Sequence, residues 1–540
     1  MIKIVFRTNE GDIEVDGSTG ASILDIMRLN GVDLEAPCGG KGVCGKCRVI
    51  IESGNDNKWS EEEIKFFSKD ELEYGWRLAC IYRPEKNIVV NLKEDSKSEF
   101  SFLKEDIDVY EEVSPSLLSN KHLISGQPFG IAVDIGTTTV IASLFSYELG
   151  TIVEEEYAIN PQKTYGLDVL SRIEYQNRGE RELREIQRKI VECIDGLGYK
   201  LAKKADINIE NIGAMTIAGN TSMLHFLLGL NAISLGKYPY KSLVENSVIE
   251  TFENIGFKNL VSGKVYILPP IRGFIGSDIS AGILISNLNQ KEHTTLFIDI
   301  GTNGEMVLKT NEKMVCCSCA AGPAFEGANI SCGMRAEDGA IEFLEINNDG
   351  TIESKTIGDK VAVGICGSAI LDVLGELSKS KLIGKTGRLK KPDLLSEDMK
   401  DLVGEHDSKR YFEIKRDDRN FRLYQSDLRQ IQLAKGAIRS GIEAMLLYLN
   451  IEAMDVGEVI IAGQFGKHLR ADSLVASGLL PKEFEDKVTY IGNSSKAGAI
   501  ACLAHEKWRE DVEDIVRGIE YIELSKLEGY DRLFAECLKF

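Results

Sequence analysis

The stretch FGIAVDIGTTTVIASLF (129–145) returns, altered, as TTLFIDIGTNGEMVL (294–308). Each copy is an apolar run that ends in Asp-Ile-Gly-Thr, followed at once by a second strand-like run. A third such run follows each copy, at 151–158 and at 313–318. A short apolar run bounded by a glycine turn predicts a buried strand. A β-β-β-α unit that occurs twice predicts two similar lobes facing each other across a cleft. Helical patterns at about 167–204 and 427–449 supply layers for such sheets.

The two turns also carry chemistry. Asp134 with Gly136, Thr137, Thr138 and Thr139, and Asp299 with Gly301, Thr302, Asn303 and Gly304, place an acid at a strand end before backbone N–H and hydroxyl donors. Such turns approach phosphate oxygens closely. An acid from each lobe can hold hydrated Mg2+, which is usually bound through one or two carboxylates plus phosphates. A strand ending in Gly463, with Gln464 and Gly466 behind it, and a late strand–turn–helix with Gly492 predict a flat seat for adenine and ribose. Gly322 lies in a further glycine-rich stretch, 320–341, with the same nucleotide-binding look. Hairpin and cap glycines explain any one of these turns more easily than all of them together. No G-x-x-x-x-G-K-[ST] occurs, which excludes a P-loop.

At the other end stand Cys38, Cys44 and Cys47 in APCGGKGVCGKCRV, and Cys80 in WRLACIY. The spacing C-x5-C-x2-C…C is one residue longer in its first interval than the plant-type [2Fe–2S] pattern. Gly39, Gly40, Gly42 and Gly45 let the loop turn its N–H groups toward sulfur. A four-thiolate zinc site is the rival, but zinc cysteines usually come as two close pairs and Cys80 has no cysteine beside it. Around this loop the sequence predicts strands at 2–6, 12–15, 48–51 and 87–92, and a helix capped by Ser18-Thr19. Cys316, Cys317, Cys319 and Cys332 are crowded, yet alternate residues of a strand face opposite ways, so core packing reads better than a second cluster.

The 540 residues carry 64 Lys and Arg against 84 Asp and Glu, a formal charge of −20, which argues against nucleic acid as a partner. No apolar run is long enough to predict a membrane span, and the start lacks a signal-peptide layout. Twelve cysteines are too few for a disulfide scaffold, so a reducing, cytoplasmic compartment is expected. The expected class is a multidomain α/β protein. It would have a β-grasp ferredoxin-like domain at 1–94 and an acidic linker at 95–128. Two ribonuclease-H-like lobes would follow, at 129–290 and 291–540, the second with a polar, irregular insertion at about 378–426.

The two phosphate turns and the Gly463–Gly466 turn resemble those of the actin, sugar-kinase and heat-shock-chaperone ATPase superfamily. GFIGSDISAGIL (273–284) falls where that superfamily places an acid between the lobes, which makes Asp278 the candidate for ordering Mg2+ or the attacking water. Joined to a ferredoxin-like module, and with IAGNTSMLHFLLG (217–229), LPPIRGFIGSDISAGIL (268–284) and YIELSKLEGYDRLF (521–534), the whole chain resembles the reductive activators of corrinoid-dependent proteins. That resemblance implies a [2Fe–2S] cluster on Cys38, Cys44, Cys47 and Cys80, ATP with Mg2+, and one-electron reduction of an inactive Co(II) corrinoid protein to Co(I). A low-potential electron donor is implied as well, and a homodimer stays an open expectation. The alternatives are an ATP-coupled donor of the 2-hydroxyacyl-CoA dehydratase-activator type and a redox-regulated small-molecule kinase. His225 and His468 sit beside apolar residues, where a histidine is more often a satisfied core group than a ligand.

Overall fold

Alternation at the front of the chain puts Ile2, Ile4 and Phe6 on one face of a strand, and all three are buried. The computed structural model describes residues 2–540 apart from 9–10, 33, 35, 37, 43, 55–57, 93–125, 167, 239, 328, 464–465 and 467–468. The acidic linker therefore lies almost wholly outside the described residues. Strand β1 (Ile2–Thr8) pairs antiparallel with β2 (Gly11–Gly17) and parallel with β5 (Ile88–Asn91). With β3 (Arg48–Ser53) and β4 (Trp76–Leu78) they form a sheet of order β2-β1-β5-β3-β4.

The helix Ile23–Leu29 covers that sheet with Ile23, Leu24, Ile26 and Met27. Its cap is Ser22, whose hydroxyl oxygen accepts from the Asp25 N–H at 3.1 Å, not the Ser18-Thr19 pair. A cap must lie within reach of the second or third helical amide, and Thr19 is too far upstream. Glu63 and Arg77 form an ion pair at 2.9 Å, both nearly inaccessible to solvent, and Glu63 also accepts the Leu78 N–H at 3.2 Å. This pair fixes β4, the strand that leads to Cys80.

The duplicated segments become two six-stranded sheets. In lobe I, β6 (Phe129–Ile135), β7 (Thr139–Ser146) and β8 (Thr151–Ile159) form an antiparallel meander. β9 (Ile212–Gly219) and β11 (Lys264–Ile267) extend it in parallel, with β10 (Val248–Thr251) at the edge. In lobe II, β12 (Thr295–Ile300), β13 (Gly304–Lys309) and β14 (Met314–Cys319) repeat the meander, and β15 (Ala340–Ile346), β16 (Ile352–Thr356) and β17 (Gly364–Ile365) form a small sheet of their own. The parallel strands β21 (Glu458–Ala462) and β22 (Val488–Tyr490) repeat the extension. Between the sheets lie the helices Ser277–Ile285 and Ser494–Ala504, in a shared apolar core with Phe145, Phe297 and Ile460. They cross so closely that a Cβ on Gly498 would stand 2.5 Å from the Ala281 methyl.

Two readings of the sequence change here. The helical pattern at 167–204 is two helices, Val169–Gln176 and Glu180–Lys204. The stretch 378–426 is not irregular, because β18 (Val403–His406), β19 (Lys409–Arg416) and β20 (Arg419–Tyr424) form a meander within it. The tail is part of lobe II: β23 (Ile519–Tyr521) adds in parallel to β14, while Glu513 on the preceding helix accepts from Ser247 of lobe I at 2.6 Å. Cys316 faces the core between the lobes, whereas Cys317 and Cys319 face the opposite core, as strand alternation requires. Among the described residues no helix is long and apolar enough to cross a membrane.

Candidate cluster and nucleotide sites

The four N-terminal cysteines come together as two pairs. Cys38 and Cys44 bring their sulfurs to 3.3 Å, and Cys47 and Cys80 to 3.2 Å. Two separate pairs suit two irons, whereas one zinc ion needs four sulfurs around a single point. Gly39, Gly40, Gly42 and Gly45 all have left-handed φ, between 66° and 95°. That backbone lets N–H groups turn inward: Gly42 donates toward the Cys80 sulfur and Lys46 toward Cys44. The donor set fits a [2Fe–2S] cluster. Cys47 and Cys80 are 1% and 7% exposed, while Cys38 and Cys44 are half-buried at the open edge.

The second constellation gathers in the cleft. The first turn closes with the Gly136 N–H donating to Thr139 O at 2.9 Å, and the second with the Gly301 N–H donating to Asn303 O at 2.9 Å. Gly463 and Gly492 have φ of 92° and 62°, and the Gly463 N–H donates to Gly492 O at 2.9 Å. A Cβ on Gly463 would stand 2.8 Å from an Asp299 oxygen, so this turn lies directly on the turn that follows Asp299. Gly322, with φ of 76°, opens a short 3-10 turn whose Glu326 accepts from the Thr302 hydroxyl. Gly466 is in place behind Gly463, with its N–H donating to Gly463 O at 3.0 Å. Gln464 and His468 lie outside the described residues.

Asp134, Asp278 and Asp299 face one another across this cleft, half-buried and walled by protein. Asp134 accepts from Asn493 Nδ2 at 2.9 Å and Ser495 Oγ at 2.6 Å. Burial still raises its pKa, opposed by those two donors. Burial, then the charges of Asp299 and Asp134, push Asp278 up to about 7. Burial, then Asp134, push Asp299 up to about 6. A fourth acid joins them: Glu305, opposite Asp299 in the β12–β13 register, is raised well above its ordinary value by burial, Asp278 and Asp299. No basic side chain pairs with Asp278, Asp299 or Glu305 among the described residues. Among the described residues these acids form no group of three that could hold a metal ion unaided, and neighbouring acids without a counter-charge suit a divalent cation whose ligands are mostly phosphates and water.

Several of these participants were not singled out from sequence. Glu305 sits in the quoted DIGTNGE, and Asn493 and Ser495 directly after Gly492 in YIGNSSKAGAI (490–500), but only the glycines there signalled a turn. Asn220, from the quoted IAGNTS, donates to the Thr137 hydroxyl at 3.1 Å and caps the helix Thr221–Leu227. His225 is a core group: its Nδ1 lies 2.7 Å from Thr221 O, and its Nε2 accepts the Leu243 N–H.

Comparison with known proteins agrees with this parts list. Residues 6–85 match the 2Fe-2S iron-sulfur cluster binding domain. Residues 129–291 match the RACo middle region, and 293–540 match the C-terminal ASKHA domain of RACo. The chain is 29% identical over 565 aligned positions to the corrinoid activation enzyme RamQ of Eubacterium limosum, covering 95% of each. It is 24% identical over 443 positions to the [Co(II) methylated amine-specific corrinoid protein] reductase of Methanosarcina barkeri, covering 75% of this chain and 76% of that one. The solved structure of a reductive activator for corrinoid,iron-sulfur protein superposes with a TM-score of 0.67 at 27% identity, over 100% of this chain and 98% of the other. With a cluster-binding module at its front and an ASKHA nucleotide cleft behind, the chain belongs to the reductive activators of corrinoid proteins.

Proposed function

We propose that this chain uses ATP to return an inactive Co(II) corrinoid protein to Co(I), the form competent for methyl transfer. The observation that carries the reading is the joining, in one polypeptide, of a paired four-thiol loop and a two-lobed cleft with massed acids. When bound, the [2Fe–2S] cluster supplies a one-electron store, oxidised by one electron as Co(II) becomes Co(I) and refilled by an external low-potential donor. Plant-type clusters lie near about −400 mV, and each ~59 mV of one-electron mismatch is a factor of ten in equilibrium. If the cobalt couple lies lower still, reduction is uphill, which gives the nucleotide cleft its purpose.

In this reading Cys38, Cys44, Cys47 and Cys80 hold the cluster. The backbone and hydroxyls of Gly136–Thr139 and Gly301–Gly304 donate to the phosphates. Gly322, Gly463, Gly466 and Gly492 frame the rest of the nucleotide. Asp134 and Asp299, supported by Glu305, hold hydrated Mg2+, and Asp278 orders the cation or the attacking water. The lobes closing on ATP form a bistable element whose two states bind the corrinoid protein with different affinity. Twelve cysteines without a disulfide suit a reducing cytoplasm.

The test is anaerobic visible spectroscopy of a Co(II) corrinoid protein mixed with this protein and a reductant, with and without ATP. Co(I) should appear only when ATP is present. Phosphorylation of a small molecule without Co(I) would favour a kinase instead, and no ATP-dependent Co(I) with any corrinoid partner would end the proposal.

A further inference from the structure

The contacts between the ferredoxin module and lobe I converge on the stretch 160–166 and the helix Val169–Gln176, followed by Arg178. On one side this stretch holds the cluster loop. Buried Arg28, on the helix Ile23–Leu29, donates through Nε and Nη2 to Thr164 O at 3.0 and 2.5 Å. Its guanidinium lies 5.6 and 5.1 Å from the ring centres of Tyr165 and Tyr175. Arg178 Nη2 donates to Gly39 O at 3.2 Å, and Lys41 pairs with Glu174. A Cβ on Gly39 would stand 3.1 Å from Tyr165 O, so the loop is pressed against lobe I.

On its other side the same stretch holds the first phosphate turn by three successive carbonyls. Asn160 donates through Nδ2 to Gly136 O at 2.9 Å and through its N–H to Thr138 O at 2.8 Å. Between them, Arg172 Nη2 donates to Thr137 O at 2.6 Å, while its Nε donates to Gly166 O at 2.8 Å. Arg172 is fully buried. Movement of Thr137 is therefore passed to Gly166 and to the Thr164–Tyr165 step that seats Arg28.

We infer that this stretch is a docking surface for the chain's own cluster loop, gated by the first phosphate turn: nucleotide releases the module and its absence parks it. The inference rests on the function proposed above. Its direction follows from where the cluster loop is open. The Cys47–Cys80 side is closed by the module's own core, and Gly39–Lys41, beside the half-buried Cys38–Cys44 edge, face lobe I. Contacts of Gly39 and Lys41 with lobe I take up part of the surroundings of that edge, so a protein partner has more room there when the module is undocked, and the undocked state is the one that serves it. The dock includes an exposed ion pair, Lys41 with Glu174, and an Arg28 Nη1 that is buried without a hydrogen-bond partner. Such a surface suits reversible release. Coupling between two sites is reciprocal, so if nucleotide loosens the dock, a change that loosens the dock must tighten nucleotide binding, up to the ratio of the two states' affinities.

The test is hydrogen–deuterium exchange on the full-length, cluster-loaded chain, with and without Mg2+ and a non-hydrolysable ATP analogue. Exchange at 38–42 and at 160–166 should rise together when the analogue binds, and unchanged or slower exchange would overturn the inference. Lys41→Glu opposes an exposed pair and leaves both cores intact. It should speed exchange at 38–42 without nucleotide and tighten analogue binding about fivefold, at the low end of ordinary couplings. The swap Lys41→Glu with Glu174→Lys should restore both values. Equal analogue affinity in all three chains would sink the inference. None of these readings needs a corrinoid protein, so they fail or stand separately from the proposed reaction.

Discussion

The two lobes share a strand order and a turn, yet they treat their aspartates differently. In lobe I, Asp134 faces Ile141 across the β6–β7 register and is satisfied by neutral donors, Asn493 and Ser495, which reach over from lobe II. In lobe II, Asp299 faces a second acid, Glu305, which in turn faces Ser318. Like charges directly opposite on a sheet destabilise it, so lobe II stores a charge imbalance that lobe I avoids. The duplicated Asp-Ile-Gly-Thr turns have diverged: Asn160 and Arg172 tether the first, and the second carries the facing acids that the proposed reading assigns to a cation.

That contrast can be broken most severely at Asp299. Asp299→Asn should lower ATP-dependent corrinoid reduction by about 10²–10³-fold, the scale for removing one preorganised electrostatic group, measured as the initial rate of Co(I) appearance. Glu305→Gln should cost about tenfold or more and raise the Mg2+ concentration needed for half-maximal rate. An unchanged Mg2+ requirement would move the cation away from lobe II. In lobe I, Asn493→Ala with Ser495→Ala strips Asp134 of both donors. At about 1–3 kcal/mol for a buried group left unsatisfied, nucleotide affinity measured by calorimetry should fall about tenfold.

A subtler test reads stability without nucleotide or metal. Asp278 and Asp299 are raised from an ordinary 3.8 to about 7 and about 6, so the fold favours their neutral forms. Their stabilising contribution is complete below about pH 4 and lost as pH rises through 6 and 7. The ligand-free protein should therefore melt at a lower temperature at pH 8 than at pH 5.5. Asp278→Asn should flatten that slope and raise the pH 8 midpoint by about 2–4 °C for each kcal/mol relieved. A lower midpoint for the variant at pH 8 would mean that the acids are not in mutual conflict. The smallest effect is expected from Ser318→Ala, which removes one hydrogen bond to Glu305 at 3.2 Å and should change the rate only a few-fold.

What could be read from sequence was whatever lies contiguous along the chain. The doubled Asp-Ile-Gly-Thr and the glycine-dense cysteine loop are local, and so were visible. Glu305 was hidden because one acid on a strand has no meaning until register sets it against Asp299. Asn493 and Ser495 act on a residue some 360 positions away, which no spacing rule reaches. The meander at 403–424 left a trace that was passed over: Phe412 and Ile414, then Phe421 and Leu423, alternate with charged neighbours and are buried. Its turns are Asp407-Ser408 and Asp417-Asp418, all four with positive φ between 48° and 60°. That is the backbone of type I′ hairpins, built without the glycine that usually announces them.

The placement of β23 bears on how the molecule is assembled during synthesis. Everything that builds the cysteine loop and its sheet lies within the first 92 residues, so that unit can fold and accept iron while the ribosome is still at work. Lobe II differs, because residues 519–521 finish its sheet and the Lys539 carbonyl accepts from Lys435 on the long helix Gln425–Leu449 at 2.6 Å. Domains emerge and fold from the N-terminus onward. The four-cysteine module can thus be complete well before the cleft between the lobes exists.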